Sequence, residues 1–372
     1  MRILFATHNT YLPQSAGGSE SSTHDLCQGL MGMGHKVAVV STLQKFDKTW
    51  FANRLKSRLQ KKRFPVDHSM GYPCYRGWEL QAAAREIVAD FSPDAIIVQA
   101  GRQFAVASWF ANLKIPVVLY ARDVEFPRDR STFSLNKYVA FIANSGFTAS
   151  RLKEYIGADA LVLPPYVDPK RYRTETTRAT AVHIGLFPQK GIETSFQLAE
   201  RRKDIPFVFV ESWTLSADEF KRLEKRANEL GNVTIRARTP DIRKILATAK
   251  ILLVPSECEE AWGRVVIEAG LNGIPSITSA RGGLPEAVGH GGLIVSPDEG
   301  LSGWERALTE LWDNPDIYQK MSTAAYARSQ DKKLSREYLL RALVDYVEQH
   351  VERMEDNSHH HKVARSKRRL NR

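Results

Sequence analysis

Cysteine is scarce in this 372-residue chain: Cys27, Cys74 and Cys258 stand far apart, and no two form a C-x-x-C pair. That spacing excludes a disulfide framework and a cysteine-rich zinc site, and it fits a reducing compartment. Long apolar runs are lacking too. None approaches the roughly 18 residues of a membrane span. The amino-terminal MRILFATHNT is broken by Thr7, His8 and Asn9 before it can form the apolar region of a secretion signal. With 43% hydrophobic and 26% charged residues the composition is ordinary, which excludes global disorder and collagen-like or fibrous repeats. No internal repeat is evident. The expectation is a soluble cytoplasmic protein of two or three domains, at about 100–200 residues per domain.

Acidic residues are in short supply: 42 Asp+Glu against 53 Lys+Arg leave a net charge of +11. The excess is local. Residues 45–63 hold eight basic residues and one acidic, and residues 357–372 hold six basic and none acidic. Together they exceed the charge of the whole chain, so the rest is slightly acidic. The segment 357–372 has almost no apolar residues and is expected to be disordered. In residues 45–64, Trp50, Phe51, Leu55, Leu59 and Phe64 recur among the basic residues at helical spacing. Such a helix either lies on an anionic membrane or packs its apolar stripe on its own domain. Elsewhere no basic–aromatic pattern of an RNA-binding sheet appears, so nucleic acid is not an expected partner.

Short apolar runs alternate with amphipathic stretches, twice over. The first set of strand candidates is Arg2–Ala6, Lys36–Val40, Ala95–Gln99, Pro116–Tyr120, Val139–Ala143 and Ala160–Leu163. The second is Ala181–Gly185, Pro206–Glu211, Val233–Arg236, Lys250–Val254, Ile274–Thr278 and Gly292–Val295. Strand–helix alternation predicts an α/β protein of two Rossmann-like, doubly wound parallel-sheet domains. The proline-rich LPPYVDPKRYR marks the junction. The expected domains are 1–165 and 174–325, followed by a helix over about 336–354. Ligands bind at the carboxyl ends of such strands.

Four loops there are candidates. Thr7–Gly18 ends in Gly17-Gly18, and Ser19 is placed to cap the next helix. GLFPQKG carries Lys190 and Gly191, a cation beside flexible backbone. PSECEEAWGRVVIEAGLNG carries Glu260, Trp262, Gly263, Arg264 and Glu268. Glu260 is expected to precede a helix and Glu268 to lie inside it, and eight residues at about 1.5 Å each separate them by roughly 12 Å, about the span from sugar to ribose in a nucleotide sugar. Glu268 is embedded in an apolar helix, where an unpaired carboxylate is costly. ARGGLPE carries Gly282 and Gly283. The glycines are expected to let backbone approach a ligand. His8 and His183 lie near strand ends as alternates.

The run from residue 255 to 295 resembles the donor-binding segment of the GT4 family of retaining glycosyltransferases. Glu260 and Glu268 match its E-x7-E motif. The Gly17-Gly18 loop, ANSGFTASRLKEYIG, LPPYVD and the KG of QKGIE follow in family order, over most of residues 1–295. The resemblance implies the GT-B fold, with the two domains facing a central cleft and the helix 336–354 packing back on the first. It implies a UDP- or GDP-sugar donor on the second domain, a glycan or lipid-linked acceptor on the first, and retention without a metal or resident cofactor. By the same resemblance Glu260 contacts the donor sugar, Glu268 the ribose, and Lys190 the diphosphate. Backbone at Gly263 and Arg264 adds contacts, as does Gly18 from the first domain.

The sequence departs from the family twice. Leu186 stands where many members carry an arginine, leaving Arg264 or Arg281 to supply the second phosphate cation. Arg122-Asp123 replaces a His-Asp pair, so Arg122 becomes a candidate catalytic cation. Asp123-Val124-Glu125 is only a loose look-alike of a metal-binding DxD. A nucleotide-sugar epimerase, a phosphorylase or a non-catalytic binding protein would use the same scaffold. The resemblance places the work in cell-surface polysaccharide or glycolipid synthesis, at the inner face of the membrane.

Overall fold

The computed structural model describes residues 1–15, 17–127 and 136–370, with the side chains of all but residue 60 and residues 357–370. The chain forms two compact units. Unit 1 comprises Met1–Asn144, Thr148–Pro164 and the chain from Arg336 on; unit 2 comprises Ser145–Phe147 and Pro165–Ser335.

Unit 1 holds strands β1 (Arg2–Thr10), β2 (Lys36–Thr42), β3 (Val66–Asp67), β4 (Cys74–Gly77), β5 (Ala95–Gln99), β6 (Val117–Ala121), β7 (Val139–Ala143) and β8 (Leu161–Val162). Between them run α1 (Gly18–Gly32), α2 (Lys48–Gln60), α3 (Leu80–Phe91), α4 (Gln103–Ala111) and α5 (Gly146–Ile156), whose first two residues belong to unit 2. The eight strands are ordered β3-β4-β2-β1-β5-β6-β7-β8, and the only antiparallel pair among the described residues is β3 with β4. Buried strands of a parallel sheet read as unbroken apolar runs because both faces are covered. In β1, Leu4 and Ala6 enter one core cluster, while Ile3 and Phe5 are equally buried on the other face.

The edge hairpin β3–β4 was not among the expected strands. Its first strand is two residues long, and its second contains Arg76, which the structure buries completely. Arg76 Nε donates to Asp67 at 2.7 Å, so the charge enters the core already paired. The first helix also differs from expectation. Its N-cap is Gly17, whose N–H donates to Glu20 at 3.0 Å, and Ser19 lies inside the first turn.

Unit 2 opens with α6 (Pro169–Tyr172). Its strands are β9 (Thr180–Ile184), β10 (Phe207–Val210), β11 (Val233–Arg236), β12 (Ala249–Val254), β13 (Ser276–Ser279) and β14 (Gly292–Val295). Its remaining helices are α7 (Ile192–Arg201), α8 (Ala217–Leu230), α9 (Arg243–Leu246), α10 (Arg264–Gly270), α11 (Leu284–Val288), α12 (Gly300–Asp313) and α13 (Pro315–Ser329). The all-parallel sheet runs β11-β10-β9-β12-β13-β14. Along β12, Ile251 and Leu253 join one core cluster, and Leu252 and Val254 join the other. The period of two thus builds a core on each face of one sheet.

The last helix, α14 (Arg336–Leu370), belongs to unit 1. Its residues Leu339, Leu340, Leu343 and Val347 are buried, Tyr346 Oη donates to the Phe141 carbonyl at 2.9 Å, and His350 Nε2 donates to that of Tyr138 at 2.9 Å. The helix backbone continues through residues 357–370, where composition predicts disorder. Once nucleated by packing, a helix extends at one hydrogen bond per residue fixed, and this stretch has no glycine or proline to stop it.

Candidate active site

The parallel sheet of unit 2 sets three of the candidate loops side by side. Strands β9, β12 and β13 are consecutive in the sheet. The loops leaving their carboxyl ends are Gly185–Gly191, Pro255–Gly263 and Ala280–Gly283. Two glycines let these loops close on one another. Gly191 has φ +73°, and a Cβ there would stand 1.8 Å from the Pro255 carbonyl oxygen. Gly282 has φ +62°, and its Cβ would stand 2.1 Å from the Glu260 carbonyl oxygen. Hydrogen bonds stitch the same contacts: Glu257 N to Gln189 O at 2.9 Å, and Gly283 N to Glu260 O at 2.6 Å. The sequence predicts these glycines for ligand approach. The structure spends Gly191 and Gly282 on loop-to-loop packing, since backbone occupies the space a side chain would need.

That packing brings Lys190 onto Glu260, 70 residues away. Lys190 Nζ donates to Glu260 Oε1 at 2.5 Å, and Ser256 Oγ donates to the same oxygen at 2.7 Å. The lysine and glutamate side chains keep 23% and 17% of their surface exposed, so the ion pair remains open to a ligand. Ser256 escaped the sequence reading. A serine two residues past a strand carries no pattern of its own, and its role appears only once Glu260 folds back over it.

Glu268 has a different setting. It is buried, and so is Arg264 one turn earlier in α10; Arg264 Nε donates to Glu268 Oε1 at 2.8 Å and Nη2 to Tyr172 Oη at 2.7 Å. This pairing answers the cost of a carboxylate in an apolar helix. It also corrects the expectation that the Arg264 side chain supplies a phosphate cation, because the guanidinium is committed inward. Leu186, which stands where the resemblance expects an arginine, is core at 2% exposure. Trp262 is likewise 4% exposed and packs in the core cluster. Helix α10 begins only at Arg264, with Gly263 as N-cap. Glu260 precedes the helix, as expected, but four of the eight residue steps to Glu268 lie before α10, so the helical rise does not measure their separation.

His183, at the end of β9, braces the Lys190 loop. Its Nε2 donates to the Gly185 carbonyl at 2.6 Å, and its Nδ1 accepts from Ser195 Oγ of α7 at 2.9 Å. Burial pushes the imidazole down to about 4, so it stays neutral as this arrangement requires.

Unit 1 holds the other candidates. Gly18 is the first residue of α1. Arg122 follows β6 with its guanidinium 4.1 Å from the centre of the Tyr120 ring. Its neighbour Asp123 accepts from Gln103 Nε2 at 2.9 Å, and burial, helped by Glu125, raises its carboxyl to about 6. His8 lies 6.2 Å from Trp109, ring centre to ring centre. Among the described residues no group of three or more His, Cys, Asp or Glu side chains is placed to hold a metal ion.

Residues 168–328 match the family model described as glycosyl transferases group 1, and residues 16–171 match that of glycosyltransferase family 4. Among solved structures, that of Anabaena HepE in complex with UDP and glucose superposes with a TM-score of 0.72 at 18% identity, covering 94% of this chain and 100% of that one. A D-inositol 3-phosphate glycosyltransferase of Pseudarthrobacter chlorophenolicus is 28% identical over 222 residues, 52% of each chain. The spore coat protein SA of Bacillus subtilis is 21% identical over 359 residues, 86% of this chain and 91% of that one. The chain spans about half the length of the inositol-phosphate relative. Two doubly wound parallel-sheet units with these neighbours define the GT-B class. Within it, the chain belongs to the GT4 glycosyltransferases.

Proposed function

We propose that the protein transfers a sugar from a UDP- or GDP-sugar, held by unit 2, to a hydroxyl of a glycan or lipid-linked acceptor held by unit 1, with retention at the anomeric carbon. The observation that carries this is the half-open Lys190–Glu260 pair on neighbouring strand ends. Partly exposed ion pairs are weak, so an arriving diphosphate displaces Glu260 from Lys190. The freed carboxylate then accepts hydrogen bonds from sugar hydroxyls, and Ser256 keeps it oriented. In the reaction the bond from the anomeric carbon to the diphosphate oxygen breaks, and its electron pair leaves with that oxygen. The acceptor oxygen bonds the anomeric carbon on the same face, and its proton passes to the departing phosphate oxygen. Negative charge grows on the diphosphate and positive charge on the sugar. Lys190, in place of a metal ion, meets the first and Glu260 the second. Glu268 is assigned to the ribose hydroxyls. Arg122 is assigned to the chemistry as a further cation, and Gly18 to backbone contact with the donor phosphate or the acceptor.

Incubation with a panel of UDP- and GDP-sugars, with and without cell-envelope acceptors, tests the reading. Release of nucleoside diphosphate that requires an acceptor supports transfer. Conversion of the sugar without acceptor indicates an epimerase, and failure to bind any nucleotide sugar overturns the proposal.

The basic segment supports a lipid-linked acceptor. Trp50 and Phe64 turn into the core, but Phe51, Leu55 and Leu59 are 60%, 61% and 75% exposed. Four-residue spacing puts these three on one face of α2, with Arg54 and Arg58 exposed beside them. Among the described residues no helix is long and apolar enough to cross a membrane. In this reading α2 lies on the anionic inner face with that stripe down, and the protein is cytoplasmic and peripheral. Replacing Phe51, Leu55 and Leu59 by serine is expected to abolish co-sedimentation with phosphatidylserine vesicles. Neutralising Arg54, Lys56, Arg58 and Lys61 is expected to weaken it by about 1 kcal/mol per charge. Binding that survives both changes returns α2 to an ordinary surface helix.

A further inference from the structure

The strand on the other side of β9 contributes a feature that the ion pair does not use. Trp213, in the loop after β10, is 53% exposed. Its ring centre lies 5.7 Å from that of Phe187, and Lys190 Nζ lies 5.7 Å from it. A lone exposed tryptophan means little, but this one is held in place. Glu211 is buried, and its carboxylate accepts from Leu215 N at 2.7 Å and from Arg238 N at 3.1 Å. One carboxylate therefore fixes both the turn that carries Trp213 and the chain leaving β11. Burying it is costly unless such bonds are made. The result is a rigid aromatic surface beside Lys190.

We infer that Trp213, backed by Phe187, is a platform on which the base of the nucleoside diphosphate stacks. The inference rests on the proposed roles of Lys190 and Glu260 and extends them by strand order. The sheet runs β10-β9-β12, with Trp213, Lys190 and Glu260 at the three successive carboxyl ends. Neighbouring strands are about 4.8 Å apart. With the sugar at Glu260 and the diphosphate at Lys190, the nucleoside end of the donor falls toward β10. Aromatic stacking tolerates any base, because every base has a flat π face. Donor-base selectivity must then come from edge contacts elsewhere.

The test compares UDP, GDP and inorganic pyrophosphate on the full chain by calorimetry. Trp213→Ala is expected to raise Kd for the nucleoside diphosphate about tenfold while leaving pyrophosphate unchanged, and Trp213→Phe to stay within about threefold of the wild type. Nucleoside diphosphate is also expected to quench tryptophan fluorescence in the wild type and to lose that quench in Trp213→Phe. The platform is overturned if Trp213→Ala leaves nucleoside diphosphate binding unchanged. It is equally overturned if pyrophosphate weakens to the same degree, since the ring would then act only through Lys190. A wild-type chain that binds pyrophosphate but neither UDP nor GDP overturns the proposed function itself.

Discussion

Lys190→Ala is expected to lower turnover by about 10²–10³-fold while the protein stays folded. The side chain projects from a loop whose shape is set without it: His183 holds the Gly185 carbonyl, and Gln189 is tied to Glu257 through backbone. Its pairing with Glu260 is partly exposed and adds little to stability. What the variant removes is the positive charge where negative charge accumulates as the sugar departs. Glu260→Ala is expected to be as severe, because the carboxylate facing the developing positive charge is lost. Groups that act on one transition state are not additive, so the double variant should be little worse than the worse single one. Lys190→Arg keeps the charge but spreads it over a planar group, and partial activity is expected. Initial rates of nucleoside diphosphate release, alongside thermal unfolding, decide the matter. Near-normal turnover in either alanine variant would remove that residue from the chemistry.

The fold was largely readable because parallel strands announce themselves. The runs 3–6 of β1, 95–98 of β5, 117–121 of β6 and 251–254 of β12 are buried on both faces, so each is apolar without a break. β3 and β4 were not readable, since the pairing that admits Arg76 to the core comes from Asp67, and no local pattern shows which carboxylate a buried arginine will meet. The site divides in the same way. Lys190 and Glu260 were found by type and loop position. Their contact depends on Gly191 and Gly282, and a sequence shows that a glycine is permissive without showing what lies against it. In α2 the apolar period left its sense open. Trp50 and Phe64 anchor the segment while Phe51, Leu55 and Leu59 face outward, because apolar spacing fixes a stripe and not which side the domain covers. Trp213 is illegible for a related reason: its meaning lies in Phe187 and Lys190, in the loop after the neighbouring strand β9.

Glu268→Ala is expected to destabilise unit 2 by about 3–5 kcal/mol. The side chains of Arg264 and Glu268 are only 9% and 11% exposed, so removing the carboxylate takes a charged hydrogen bond of 2.8 Å from a buried guanidinium that also donates to the Tyr172 hydroxyl. At about 2–4 °C per kcal/mol for a unit of this size, the transition should fall by roughly 6–20 °C. A loss of nucleotide binding in this variant alone would be ambiguous, since the ribose contact and the local fold disappear together. Replacing both partners separates them. A buried ion pair exchanged for apolar residues of similar volume is often neutral or stabilising, so Arg264→Met with Glu268→Leu is expected to recover most of the lost stability. If nucleoside diphosphate still binds about tenfold or more weakly in this refolded double variant, Glu268 contacts the ligand as proposed. If affinity returns with stability, the second glutamate of the motif is here a structural partner of Arg264, and recognition of the ribose belongs to other groups in unit 2.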